Sequence, residues 1–223
     1  MLAAFTAGLL LITISELGDK TFFIGVILSM RHSRRLVFLG VLGALAAMTL
    51  LSVLLGQVVS LLPQYYIHYG EIALFLGFGF KLLYDASQMP AQAENTGAKE
   101  AAMEVAKQNP DGAIARSAKD KSRSANLAIV LQAFTMTFLA EWGDRTQIST
   151  IALAASYQPI GVTLGAILGH GICTAIAVIG GRLIAGRISE RWVTALGGVL
   201  FLIFGAVAIL EGTLPSVDIL QQY

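Results

Sequence analysis

The sequence has little charge and almost no cysteine. Charged residues make up 13% of its 223 residues, about half of their usual share in soluble globular proteins. The single cysteine, Cys173, excludes an intrachain disulfide framework and a cysteine-ligated metal cluster. The net charge of +1 provides no basic surface for a nucleic acid. These scarcities exclude a disulfide scaffold and a nucleic-acid-binding domain.

Apolar residues, in contrast, are abundant. They account for 56% of the chain, and the 23 glycines bring the total to about two thirds. A soluble globular chain has roughly 45–50% on a similar count. The mean hydropathy is +0.72. This composition excludes a disordered chain and predicts a protein that crosses a membrane several times.

Six segments are long and apolar enough to span a bilayer, for which a helix needs about 20 residues. They run over 4–29, 36–60, 68–86, 126–154, 159–184 and 192–212. Residues 1–15 contain no Lys or Arg, so the first segment lacks the basic start of a signal peptide. We therefore expect it to be retained as a span.

A polar segment separates the six spans into two groups of three. Residues 87–125 are rich in charge and contain the turn sequence Asn109-Pro110-Asp111-Gly112. We expect a solvated linker, with a short surface helix over 98–108 as the alternative for part of it. The predicted organisation is a three-helix repeat over 1–86, a polar linker over 87–125 and a second three-helix repeat over 126–223.

The basic residues lie in alternate connections between the spans. The first, third and fifth connections, together with the span ends next to them, hold 13 of the 15 Lys and Arg residues, whereas the other connections and both termini hold none. Cytoplasmic loops of membrane proteins carry an excess of basic residues. This distribution predicts six spans with both termini non-cytoplasmic and with the central linker in the cytoplasm.

The remaining basic residues, Lys20 and Arg145, belong to a repeated motif. Residues 16–21 read Glu-Leu-Gly-Asp-Lys-Thr and residues 141–146 read Glu-Trp-Gly-Asp-Arg-Thr. The same offset of 125, or 126 near the end, relates Gly40 to Gly165, Thr49 to Thr174, Gly79 to Gly205 and Asp85 to Glu211. Because each repeat has three spans, the second copy is inverted, as in secondary transporters. We predict an all-α polytopic membrane protein with six transmembrane helices arranged as two inverted three-helix repeats.

Each motif places two acidic residues within a predicted span. An ionised side chain at the bilayer centre costs about 2.5–3.5 kcal/mol, so Glu16, Asp19, Glu141 and Asp144 together would cost on the order of 10 kcal/mol without compensation. Their spacing of i, i+3 predicts one helix face in each repeat. Inversion brings the two faces together near the midplane. With Lys20 and Arg145, the cluster has a formal charge of −2, which one divalent cation or two protons would neutralise.

The candidate ligands are hard oxygen atoms. The supporting residues are Thr21, Thr146 and Gln147 as oxygen donors, Gly18 and Gly143 as sites of close helix approach or of a locally opened helix, and Lys20 and Arg145 as flanking cations. Oxygen ligands favour Ca²⁺, Mn²⁺ or Mg²⁺ over Zn²⁺ or Cu⁺. In the alternative interpretation, each motif is only a salt-bridged helix contact. That interpretation leaves Asp19 and Asp144 unpaired.

The two motifs resemble the signature of a cation/proton antiporter family, which has two copies of Glu-x-Gly-Asp-(Lys/Arg)-(Thr/Ser). Members include Golgi proteins linked to glycosylation and manganese transporters of chloroplasts, cyanobacteria and other bacteria. The resemblance covers both motifs, the six spans and the central loop. It implies a transporter, not an enzyme, that exports Mn²⁺ or Ca²⁺ from the cytoplasm in exchange for protons. It also implies Glu16, Asp19, Glu141 and Asp144 as the metal site.

The resemblance further implies a multi-pass protein of a bacterial inner membrane or a thylakoid-type membrane. Its partners are the divalent cation, protons and the lipid bilayer, and no permanent cofactor is expected. The choice between Mn²⁺ and Ca²⁺, the proton stoichiometry and the oligomeric state stay open. So do the roles of four further polar residues, which are either functional or packing residues: His170, Glu71, Asp85 and Glu211.

Three other functions are compatible with parts of the pattern. A divalent-cation channel or uniporter uses the same ligand chemistry, and an exporter of amino acids or small organic cations has a similar number of spans. A membrane-embedded aspartyl protease also uses intramembrane aspartates. Its Gly-x-Gly-Asp pattern is not met, because Glu16 and Glu141 occupy the first position.

Overall fold

Helices account for the regular structure of the described part of the chain. The structure is a computed structural model that describes residues 1–89, 96–108, 123–184 and 189–213. Its helices are α1 (Leu2–Glu16), α2 (Lys20–Arg31), α3 (Arg34–Val59), α4 (Gln64–Gln88), α5 (Thr96–Gln108), α6 (Arg123–Ala140), α7 (Arg145–Ser156), α8 (Pro159–Ile184) and α9 (Glu190–Thr213). The prediction of an all-α protein is confirmed for these residues, which contain no strand.

Several of these helices are suited to a membrane. By length and composition, α3, α8 and α9 each contain a candidate span, and the count rises to five if α1–α2 and α6–α7 are each one bent span. Helix α4, which coincides with the predicted span 68–86, is not among them. Charged residues such as Glu71 and Lys81 lower its hydropathy. The apolar membrane character is therefore evident, whereas the count of six stays a prediction.

The first and fourth predicted spans are broken at the repeated motifs. Helices α1 and α2 meet at an angle of 66°, and α6 and α7 meet at 76°. Gly18 and Gly143 lie at the two breaks with φ of 81° and 79°, a backbone conformation that side chains with a Cβ disfavour. The prediction that each motif forms one continuous helix face is therefore wrong. The alternative of a locally opened helix describes both breaks.

Close glycine contacts occur at positions that the sequence offset of 125 relates to each other. A Cβ on Gly40 of α3 would lie 2.6 Å from the carbonyl oxygen of Val130 in α6, and a Cβ on Gly165 of α8 would clash with the carbonyl oxygen of Phe5 in α1. Val130 follows Phe5 by the same 125 residues that separate the two glycines. Residues related by this offset therefore pack their helices at close range in both places.

The surface helix that was the alternative for part of the linker is present as α5, so this part is not simply a solvated linker. It packs against α2 and buries Ala101 and Val105 in the same apolar cluster as Phe23. The ends of the predicted linker belong to α4, which extends to Gln88, and to α6, which begins at Arg123. Residues 90–95 and 109–122, including the turn at Asn109–Gly112, lie outside the described residues. The division into two repeats and a linker at residues 87 and 125 stays a prediction.

The close approach at Gly165 has a measurable consequence. We expect Gly165→Ala to destabilise the protein by about 1–3 kcal/mol, because the neighbouring atoms belong to the α1 backbone and cannot rotate away. Gly171→Ala on the same helix is the control, since its Cβ would meet only the Leu42 side chain at 3.9 Å. Thermal unfolding in detergent measures both changes. Equal unfolding temperatures for the two variants would contradict the packing described.

Candidate functional site

Two buried glutamates lie at the breaks of the bent helix pairs. Glu16 is the last residue of α1 and Glu141 directly follows α6. Their exposed fractions are only 2% and 3%. The Thr21 hydroxyl donates to Glu16 Oε2 over 3.1 Å, and the Thr146 hydroxyl donates to Glu141 Oε2 over 3.3 Å. The two motifs thus hold their glutamates by the same hydrogen bond.

The two aspartates cap the helices that follow the breaks. The Asp19 carboxylate accepts from the Lys20 N–H over 2.6 Å at the start of α2. Asp144 accepts from the Arg145 N–H in the same way at the start of α7. Aspartate is a preferred N-cap residue, and the helix dipole stabilises a negative charge there. The glycine before each aspartate allows the chain to turn into the cap.

Three of the four predicted carboxylates converge. One ligand atom from each of Glu16, Glu141 and Asp144 lies within 4.8 Å of the other two. Ca²⁺ binds oxygen at about 2.3–2.6 Å, so oxygens on opposite sides of one such ion are separated by about 5 Å. In addition, Glu16 Oε1 is buried without a hydrogen-bond partner among the described residues. This geometry suits one cation shared by both motifs.

The fourth carboxylate, Asp19, joins the group through an ion pair. Arg145 Nη2 lies 3.3 Å from Asp19 Oδ2, and Arg145 Nε lies 3.9 Å from Asp144 Oδ1. One guanidinium therefore links the aspartates of the two repeats. The alternative interpretation required a salt bridge within each motif. At the first motif the structure describes both Glu16 and Lys20, and no ion pair joins them.

Gln147 supports the turn of the second motif. Its Oε1 accepts from the Gly143 N–H over 2.7 Å, and its Nε2 donates to the Met48 sulfur over 3.0 Å. The side-chain oxygen that we considered as a metal ligand is thus committed to the backbone. Gln147 fixes the position of the turn that carries Asp144.

Helices α3 and α8 complete the walls behind the glutamates. The two motifs alone did not predict that residues of these helices would line the site. One small cavity is lined by Glu16, Thr21, Cys173 and Thr174, and a second by Glu141, Thr146, Met48, Thr49 and His170. Each has a volume of about 10 Å³, which is close to the minimum for one water molecule. The sequence offers one indication of these walls: Thr49 and Thr174 are separated by the same 125 residues as the two motifs.

The other polar residues singled out in the sequence have different surroundings. His170 is buried, and its Nδ1 has no partner among the described residues. Glu211 accepts a hydrogen bond of 2.8 Å from the Tyr157 hydroxyl, and Glu71 is buried. Burial, followed by the hydrogen bond to Glu211, raises the pKa of Tyr157. The tyrosine therefore stays protonated as a donor.

A larger cavity gives access to the carboxylates. It has a volume of about 240 Å³, and its lining includes Asp19, Lys20, Glu141, Trp142 and Asp144. A hydrated divalent ion fits into such a space. The cluster is therefore buried at Glu16 and Glu141 but is reached from one side through the aspartates.

Comparison with known proteins identifies the class of protein to which the chain belongs. A family model described as "Divalent cation/proton antiporter GDT1" matches residues 4–90 and 129–216. These segments contain both motifs and exclude most of the linker. The chain is therefore a membrane transporter of cations and protons, not an enzyme, and the metal ions are its substrates.

Individual relatives agree with this class. A GDT1-like protein of Synechocystis sp. is 56% identical over 93% of this chain and 97% of its own length. GDT1-like protein 5 of Arabidopsis thaliana is 40% identical over 94% of this chain and 96% of its own length. The chloroplastic PAM71-homolog of the same plant is 39% identical, with 92% of this chain matching 58% of the longer protein. No solved structure matches the chain. The chain belongs to the GDT1 divalent cation/proton antiporter family.

The turn at Gly143 generates a test of the site's backbone. We expect Gly143→Ala to lower the free energy of unfolding by about 1–2 kcal/mol, because alanine disfavours a positive φ. A Cβ there would meet nothing within 4 Å, so the cost is conformational and not steric. Gly143→Asn is the matched control and should cost less, since asparagine tolerates this region. Chemical unfolding in mixed micelles measures both, and a smaller cost for alanine than for asparagine would refute the explanation.

Proposed function

We propose that the protein exports Mn²⁺ or Ca²⁺ from the cytoplasm in exchange for protons at a site near the membrane midplane. The observation that carries this proposal is the convergence of Glu16, Glu141 and Asp144 within 4.8 Å. These carboxylates come from both repeats. Asp19 completes the set of four and is held next to it by Arg145.

The charge of the cluster supports exchange of a metal for protons. Four carboxylates with Lys20 and Arg145 leave a formal charge of −2. Either one divalent cation or two protons restores neutrality, and both together would leave an excess positive charge in a medium of low polarity. The cluster therefore holds one or the other. An acidic outer compartment protonates the carboxylates and releases the metal.

The helix packing supports an alternating mechanism. The close contacts at Gly40 and Gly165 use corresponding residues of the two repeats, as two inverted units around a common axis require. Counting α4 as the third span gives six spans, with the linker in the cytoplasm and both termini on the other side. The two repeats then rock about the carboxylates and expose them to one side at a time.

The decisive experiment uses the full chain in lipid vesicles with an imposed pH gradient. We expect Mn²⁺ or Ca²⁺ to move against the proton flow, because the same carboxylates carry both. The fluxes of both metals and the lumenal pH are followed together. Metal flux that is indifferent to the proton gradient would indicate a channel or uniporter and would refute the exchange.

Substitution of the aspartates tests the site itself. Asp19→Asn and Asp144→Asn are nearly isosteric, and each removes one negative charge. We expect either change to abolish the exchange while the protein remains folded, as judged by gel filtration and thermal unfolding. Glu104→Gln on α5, a carboxylate outside the cluster, should retain transport. Wild-type flux in either asparagine variant would eliminate that carboxylate from the site.

A further inference from the structure

The linker helix α5 is attached to both repeats. Its apolar face packs against α2, with Ala101 and Val105 buried there. At its N-terminus, the Thr96 N–H donates to Glu190 Oε2 at the start of α9 over 2.6 Å. Helix α2 belongs to the first repeat and α9 to the second. The position of α5 is thus fixed relative to the bent helix α1–α2, which carries the first motif.

Two cavities lie beside α5 and share part of their lining. The cavity of about 240 Å³ reaches Glu141 and Asp144. The other, of about 210 Å³, reaches Arg145 and Glu190. Both are lined by Asp19 of the first motif and by Glu100 of α5. Glu100 is exposed, so a linker carboxylate faces the space through which the cluster is reached.

The charges along the two cavities determine how Glu100 affects the approach of a cation. Lys20 lines one cavity and Arg145 the other, and both cations oppose the entry of a divalent metal. Carboxylates at the wall offset this repulsion, because a charged cleft raises the local concentration of oppositely charged ions. Apart from the motif carboxylates, Glu100 is the acid that both cavities share within the described residues.

We propose that α5 forms the entrance to the carboxylate cluster and that Glu100 draws the divalent cation into it. This inference rests on the proposed function and extends it to a helix outside both repeated motifs. Glu100 acts by its charge on the approaching ion and is not a ligand of the central site. The sidedness follows from the topology: the entrance faces the compartment that contains the linker.

The test compares initial rates of Mn²⁺ transport by full-length variants in vesicles, with Mn²⁺ supplied on the linker side. We expect Glu100→Gln to raise the half-saturating Mn²⁺ concentration about two- to fivefold with little change in the maximal rate. Glu104→Gln, one helical turn away and in the lining of neither cavity, is the charge-matched control and should behave as wild type. Glu100→Asp keeps the charge, so its half-saturating Mn²⁺ concentration should be close to that of the wild type.

Ionic strength separates attraction from a structural effect. The screening length falls from about 10 Å at 0.1 M salt to about 3 Å at 1 M, so the difference between Glu100→Gln and wild type should shrink at high salt. Equal half-saturating concentrations for Glu100→Gln and wild type at low salt would overturn the proposal. So would a shift of the same size in Glu104→Gln, or a shift that salt leaves unchanged.

Binding of Mn²⁺ to the detergent-solubilised protein, followed by the paramagnetic resonance of free Mn²⁺, distinguishes the two proposals. If the wild type binds Mn²⁺ but does not exchange it for protons, the proposed function fails. Weaker binding by Glu100→Gln at low salt then still supports the role of α5, whereas unchanged binding overturns it. Gel filtration of each variant verifies that the protein is folded.

Discussion

The cost of ionised groups in an apolar medium governs the arrangement of this protein. Glu16 and Glu141 are almost completely buried, and their charges require compensation from protons, cations or hydrogen-bond donors. The structure provides part of it through hydrogen bonds from the Thr21 and Thr146 hydroxyls, while the guanidinium of Arg145 pairs with the neighbouring Asp19. In the proposed function, the remainder falls to the transported ion. The most costly feature of the chain is therefore also the one on which the proposed function rests.

The broken helices follow from the same requirement. A continuous helix would commit its backbone N–H groups to its own carbonyls and would leave the aspartates without donors. At Gly18 and Gly143 the helices stop, and Asp19 and Asp144 accept the first free N–H groups of the next helices. The break thus stabilises the aspartates within a largely apolar molecule. Short side chains at the α3–α6 and α1–α8 contacts then allow the surrounding helices to pack closely.

Much of this arrangement was accessible from the sequence. Composition indicated a membrane protein, and the repeated motif indicated Glu16, Glu141 and Asp144, which the structure brings together. Periodicity did not reveal the breaks, because the predicted spans are apolar on both sides of each motif and a lone glycine is compatible with a helix. The pairing of Arg145 with Asp19 was also inaccessible, since it depends on how the two repeats meet. Likewise, the packing of α5 depends on tertiary contacts that a polar linker composition does not indicate.

The two small cavities behind the glutamates are related by the repeat but are not identical. By the offset of 125, His170 corresponds to Leu45 and Cys173 corresponds to Met48. His170 and Met48 line the cavity next to Glu141, Cys173 lines the cavity next to Glu16, and Leu45 lines both cavities. Two identical repeats that exchange roles across a membrane would make the inward-facing and outward-facing states equal in free energy. Each residue that differs between the two repeats makes the free energies of the two states less equal, so that one state is favoured. In the proposed alternating mechanism, differences such as these make the two states unequal in free energy, independently of the ion that is carried.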